Sequence, residues 1–207
     1  MAKRPTRIAV AMTGASGAVY GLRVLEELLR DKALDVHLTI SPSALKVLAI
    51  EHGIKIELNA FDAKKLGVRG AEKVTYHASD NVAAPLASGS FRLKALAIVP
   101  CSMGSVGAIA NGISDDLIQR AADVMIKERR KLVVVPRETP FSTIHLENLL
   151  KLSQLGAIVA PACPGFYGKP QSISEMVDFV VARVLDHLDV EHELGPRWGE
   201  KKTEVGK

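Results

Sequence analysis

Aromatic side chains make up only 4% of the 207 residues. That is poor material for single-stranded nucleic-acid binding, which depends on stacking platforms. Cysteine is scarce as well: Cys101 and Cys163 form no paired framework and no Cys-x-x-Cys motif. A disulfide scaffold is therefore not expected, and the compartment is expected to be reducing. With no base beside either thiol, both cysteines read as small apolar core residues. No His-x-x-x-His, His-Asp or Cys-His grouping occurs, and no metal is assigned. Apolar runs last five to seven residues, against the ~20 of a spanning helix. With no leader-like segment, the expectation is a cytoplasmic enzyme that does not contact membrane. Internal repeats and low-complexity linkers are also missing.

What is present is 47% hydrophobic and 24% charged, enough for one globular domain with a sizeable core. The net charge of +4 is concentrated at Lys3, Arg4 and Arg7 and in the run from Lys127 to Lys131. This mild excess suits anionic small molecules and does not call for DNA.

Short apolar runs alternate with helical patterns along the whole chain. Strands are expected at 7–12, 36–40, 73–77, 95–100, 131–136 and 156–160. Helices are expected near 17–30, 43–52, 104–111, 115–130, 143–155 and 173–188. The alternation defines an α/β fold, a mostly parallel sheet with helices on both faces. Runs such as Leu96 to Val99 and Val133 to Val135 are apolar throughout, as strands covered on both sides are. Residues 53–72 read as an irregular excursion, and the polar tail from Glu191, with Trp198, is expected to leave the core.

The segment from Ile8 to Gly21 is the most informative. An apolar strand ends in Thr13-Gly14-Ala15-Ser16-Gly17, and an amphipathic helix follows. Such a turn can aim free backbone N–H groups at an anion, or it can be a tight turn with no ligand. A dinucleotide site would need Gly-x-Gly-x-x-Gly and an acid closing the second strand. Here that strand runs into Ser41-Pro42, and Asp35 stands at its wrong end. The spacing therefore favours a mononucleotide phosphate over NAD.

Ligands of parallel sheets bind beyond the carboxyl ends of the strands. Polar residues gather at those ends: Gly14 to Ser16, Ser41, Ser102 to Ser105, Arg137 and Glu138, and Tyr167. Several can equally be helix caps, Ser102 among them. Arg120 and Lys127 lie two turns apart on one helix face, where they can bind an anion or simply be solvated. Arg183 borders an apolar stripe and needs an anionic partner or a route to water. His145 stands at the start of a helix behind Ser142 and reads as a first-turn residue.

With these segments assembled, the chain resembles the UbiX-type flavin prenyltransferases from Arg7 to about Trp198. The resemblance rests on the runs 13–21, 87–90, 100–105, 120–140, 164–167 and 170–172, taken in order. It implies a single Rossmann-like, flavodoxin-like domain over residues 1–190, with 191–207 as a tail. It also implies that a dimethylallyl group, carried as dimethylallyl phosphate, is joined to N5 and C6 of reduced FMN. The prenylated FMN would be used by a UbiD-type decarboxylase. By the same resemblance FMN contacts Gly14, Ala15, Ser16, Ser41, Ser102, Met103, Gly104, Ser105 and Arg137. Dimethylallyl phosphate lies near Ser88, Gly89, Arg120, Lys127, Tyr167 and Arg183, with Glu51 and Trp198 close by. Glu51 is expected from a neighbouring subunit of a homo-oligomer, by resemblance a dodecamer. Glu138 is the expected acid–base residue, and Ser16, Lys127 and Tyr167 share the chemistry. Two other readings compete. One is a flavin-dependent cysteine decarboxylase, whose Met-Asn pair is missing here. The other is a non-catalytic flavin carrier for an aryl-acid decarboxylase, against which the intact Lys127, Glu138, Tyr167 and Arg183 argue. Many relatives carry Ser-Lys at Ser41-Pro42, and proline removes the backbone N–H available there.

Overall fold

The computed structural model describes residues 5–57, 60–195, 197 and 199. Six strands, β1 (Thr6–Met12), β2 (Leu34–Ile40), β3 (Thr75–Ala78), β4 (Ala95–Cys101), β5 (Lys131–Pro136) and β6 (Ile158–Val159), form one sheet. Their order is β3-β2-β1-β4-β5-β6, and every pairing is parallel. The helices are α1 (Ala18–Arg30), α2 (Pro42–His52), α3 (Met103–Ala110), α4 (Leu117–Lys127), α5 (Thr143–Gln154) and α6 (Ile173–Leu188). Each expected strand and helix is found, and the sheet is wholly parallel rather than mostly so. The last strand is shorter than expected, with two residues. The 53–72 excursion holds only short 3-10 turns at 63–66 and 71–73.

Alternation along the strands divides the interior in two. Ile8, Val10 and Met12 of β1 join α1 and α6 in one cluster. Ala9 and Ala11, pointing the other way, join α3 and α4 in the second. β4 reverses the sizes: Ala95, Ala97 and Val99 face the first cluster, Leu96 and Ile98 the second. Small residues of one strand thus sit beside large ones of the next on each face, which lets both helical layers approach closely. On the first face, Arg23 of α1 bonds Asp178 of α6 at 2.7 Å and also pairs with Glu26 and Glu27.

Two sequence expectations change. Cys101 is buried, and burial pushes its thiol up to about 12, but Cys163 is exposed. It lies past the short β6, in the loop that leads to α6. The start of the tail stays on the core, with Val190 and Leu194 against the first cluster and the His192 side chain 2% exposed.

One buried polar pair lies apart from the carboxyl edge. His37 Nδ1 and His77 Nε2, on neighbouring strands β2 and β3, are 2.9 Å apart, with Asp35 3.4 Å from His37 Nε2. One hydrogen serves both nitrogens, so the pair is built for neutral rings. Burial lowers both histidines below their ordinary value. The unfolded chain therefore binds these protons first as acid is added. Stability should be full above about pH 6.5 and fall as pH drops below that value. We expect the urea midpoint to decline from pH 7 to 5, and the decline to shrink in a His37→Gln/His77→Gln variant.

Candidate functional site

The carboxyl edge is stitched together beyond the strands themselves. Ser41 donates its N–H to Met12 at 3.0 Å, Arg137 to Cys101 at 3.3 Å and Ala162 to Pro136 at 3.1 Å. At the centre, where α1 and α3 depart to opposite faces, Thr13 clasps β1 to β4. Its N–H and its hydroxyl both donate to the Pro100 carbonyl at 3.1 Å. The same hydroxyl oxygen accepts the Ser102 N–H at 2.7 Å. This is the crevice where a doubly wound sheet of this order places its ligand.

Around the crevice stand three helix starts. Ser41 caps α2 by accepting the Ala44 N–H at 3.1 Å. Pro42 is the first residue of α2, where a missing N–H breaks no helical bond. Ser102 caps α3, accepting the Ser105 N–H at 3.3 Å, and the two hydroxyls meet at 3.0 Å. Gly104 is exposed, with nothing near the position of a Cβ. Met103 is buried in the second cluster, so its side chain is a core residue and its backbone alone borders the edge.

The third helix start is occupied by the chain itself. Gly17, with φ of 104°, turns the backbone into α1, a conformation that favours glycine. Its N–H donates to Glu51 at 3.0 Å and the Ala18 N–H does so at 2.9 Å. Burial alone would raise this carboxyl, but hydrogen bonds from Ser16, Gly17 and Ala18 hold it below its usual value. The Ala15 N–H is spent on the Thr13 carbonyl at 2.9 Å. The anion at the start of α1 is thus Glu51 of the same chain, where a neighbouring subunit was expected to supply it. The sequence hides this because α1 and α2 are separated by a whole strand.

Arg137 bridges the edge by donating from Nε to the Ser16 carbonyl at 3.2 Å. Its terminal nitrogens have no partner among the described residues. Beside it a cleft of about 250 Å³ is lined by Glu138, Thr139, Phe141, Pro161 and Cys163. Glu138 accepts the Thr139 N–H at 3.0 Å. Tyr167 lies in the loop before α6 and meets Phe179 edge-on, 5.5 Å between centroids. His145 completes a capping box with Ser142, which settles it as a first-turn residue.

Of the remaining cations, Arg120 stands in the first turn of α4 and Lys127 in its last. The Leu117 N–H donates to Ser79, just past β3, so α4 starts at the carboxyl edge and ends at the opposite one. Lys127 accordingly lies at the amino end of β5, and Arg137 at its carboxyl end. Ser88 and Gly89 share the Lys127 pole: Arg130 donates to the Gly89 carbonyl at 2.6 Å. Each cation has a carboxylate on or next to its own helix, Arg120 with Asp123, Lys127 with Glu128 and Arg183 with Asp186. Arg183 is mostly exposed and so has both the partner and the route to water that its position demands. Trp198 lies outside the described residues. The structure therefore unites Gly14 to Ser16, Ser41, Ser102 to Ser105, Arg137, Glu138 and Glu51, and leaves Ser88, Gly89 and Lys127 at the far pole.

A wholly parallel sheet whose crevice carries serine-capped helix starts and an arginine suits a phosphate-bearing ligand, and the chain belongs to the Flavoprotein family, whose model it matches over residues 1–185. Within that class it belongs to the UbiX flavin prenyltransferases. It is 49% identical over 202 residues to flavin prenyltransferase UbiX of Pseudomonas aeruginosa, covering 95% of this chain and 96% of that one. It superposes on a dodecameric FMN-dependent UbiX-like decarboxylase from Escherichia coli O157:H7 with a TM-score of 0.84, at 40% identity over 93% of this chain and 99% of the other. It is likewise similar to AnUbiX (PadA1), solved with FMN and dimethylallyl pyrophosphate. That match has a TM-score of 0.80 and 40% identity, over 94% of this chain and all of that one. No helix among the described residues is long and apolar enough to cross a membrane.

Gly14 keeps the crevice narrow: a Cβ there would stand 2.5 Å from Cβ of Ser43 at the start of α2. Gly14→Ala should lower the thermal midpoint by several degrees, on the order of 1–3 kcal/mol for overpacking. Adding Ser43→Gly should recover most of that loss in the same melting experiment.

Proposed function

We propose that this chain joins a dimethylallyl group from dimethylallyl phosphate to N5 and C6 of reduced FMN, and that the product serves a UbiD-type decarboxylase. The observation that carries the reading is the edge itself: hydroxyls, two open helix starts and an arginine, with an acid in the adjoining cleft, in a UbiX chain. The donor set fits a phosphate-bearing flavin. Ser41, Ser102, Ser105 and Arg137 offer donors at the starts of α2 and α3, and Gly14, Ala15 and Ser16 line the approach. When bound, reduced FMN supplies the electron-rich N5 and C6 that the dimethylallyl group joins.

Breaking the allylic C–O bond leaves negative charge on phosphate oxygens. Arg120, Lys127 and Arg183 supply compensating charge, and Ser88, Gly89 and Tyr167 supply donors. Glu138, in the cleft beside Arg137, delivers a proton to the departing oxygen. Ser16 lies beside the Glu51 carboxylate and helps to hold it below its usual value, which keeps an anion at this end of the edge.

One chain cannot gather all of these groups. The six residues of β5 alone separate Lys127 from Arg137 by about 20 Å. This supports a site completed between subunits, the Lys127 pole of one chain meeting the Arg137 pole of another. Ile144, Leu146 and Leu150 of α5 are exposed in the single chain, which fits burial in a homo-oligomer.

Anaerobic incubation with reduced FMN and dimethylallyl phosphate should raise the flavin mass by one dimethylallyl unit; an unchanged mass refutes the reading. Glu138→Gln should retain FMN yet prenylate it ~10²–10⁴-fold more slowly in a single turnover. Arg137→Ala and Lys127→Ala homo-oligomers should each be nearly inactive. Refolded together, they should regain activity, because some junctions then pair two intact poles.

A further inference from the structure

Asp186 on α6 is bonded through both of its oxygens. Its Oδ2 accepts from Arg183 Nη1 at 2.7 Å. Its Oδ1 accepts from Arg197 Nη2 at 2.9 Å and from His192 Nε2 at 3.1 Å. The tautomer of His192 is fixed from its other side. His192 Nδ1 accepts the Leu194 N–H at 3.1 Å, so the hydrogen is on Nε2, aimed at Asp186. The imidazole is almost fully enclosed. Burial would raise the Asp186 carboxyl, yet hydrogen bonds from Arg197 and His192 hold it below its ordinary value.

An exposed Arg–Asp pair three residues apart on a helix is ordinarily worth under about 1 kcal/mol and orders little. Asp186 differs because its second oxygen is held by an enclosed ring in a separate segment. The carboxylate cannot rotate to follow Arg183 without giving up His192 and Arg197. Arg183 is therefore held by a fixed anion rather than a mobile one.

We infer that Asp186 is a positioning residue for prenyl-phosphate binding: it anchors the Arg183 guanidinium to the folded-back tail at His192 and Arg197. The inference rests on the proposed role of Arg183. Holding an arginine in one place before the phosphate arrives lowers the ordering cost of binding, so the effect belongs in substrate affinity. It does not belong in proton transfer or in the capture of FMN at the opposite edge.

The test varies dimethylallyl phosphate at saturating reduced FMN for the wild type, Asp186→Asn, Asp186→Glu, Arg183→Ala and the Asp186→Asn/Arg183→Ala double variant. Asp186→Asn should raise KM for dimethylallyl phosphate about tenfold with kcat and FMN affinity within about twofold. Asp186→Glu should restore most of that affinity. In the Arg183→Ala background, Asp186→Asn should change KM by less than about twofold, because the two act as one unit. Hydrogen exchange at the Leu194 amide should quicken in Asp186→Asn, with or without substrate. Should Asp186→Asn fold poorly, His192→Leu frees the same clamp from its tail side and should raise KM about threefold. Additive KM effects, a fall in kcat at constant KM, or weakened FMN binding would each overturn the inference. A normal KM in Arg183→Ala would overturn it too, while leaving prenylation itself intact. A wild type that forms no prenylated flavin would instead refute the proposed function.

Discussion

The clasp at Thr13 is the contact on which the rest of the edge depends. One threonine hydroxyl donates to Pro100 and accepts from Ser102, and it is 3% exposed. It joins the two strands from which helices leave for opposite faces, and so sets the width of the crevice. Ser102, fixed through its N–H, is placed to cap α3. Arg137 is fixed relative to it through the Cys101 carbonyl. Serine would supply the same oxygen with less restricted rotation about χ1, whereas threonine's branched Cβ limits it. A buried oxygen with two partners is costly to misplace, which makes the crevice a rigid frame onto which the exposed side chains are added.

The frame divides the chemistry between two poles. The carboxyl edge gathers hydroxyls, backbone donors and one arginine, and it neutralises the start of α1 internally with Glu51. Excess cations collect at the far pole and on the flanks of α4 and α6, each paired with a carboxylate. In a single chain the Arg120 and Lys127 pairs are local and solvent-exposed, hence weak. At a subunit junction, with water displaced, the same cations would act at close range on a phosphate. The positive balance of the composition is thus spread over surfaces that the proposed assembly would bring together.

Much of this was legible in the sequence because parallel strands covered on both faces are apolar throughout. Val133 to Val135 and Leu96 to Val99 admit hardly any other reading. The strand ends were legible for a related reason: where an apolar run stops at Ser102 or Arg137, the chain has reached the edge. The Glu51 contact was not legible, since it joins two helices through tertiary packing. Nor was the exposure of Cys163, because a two-residue strand gives too short a pattern to fix the loop after it. The folded-back tail has no sequence signal for a different reason. His192, Asp186 and Arg197 look like ordinary surface residues until geometry shows one carboxylate holding both of the others. Assignment of roles to Lys127, Tyr167 and Arg183 came from resemblance, because a helix cation and a loop tyrosine have no local signature.

The clasp also dictates an order of events in folding. Thr13 and Pro100 are 87 residues apart in the chain, and the central strand β1 cannot gain its second neighbour until β4 has been made. At ~5–20 residues per second of synthesis, that interval is about 4–17 seconds. During it, β1, β2 and β3 can pair among themselves, but one edge of β1 remains open beside Ala9 and Ala11, without the helices that will cover them. Until β4 is made, that apolar strand edge has no partner, the type of surface that pairs with other chains or is bound by a chaperone. The same long-range closure that gives the finished crevice its rigidity is therefore among the later contacts that synthesis allows.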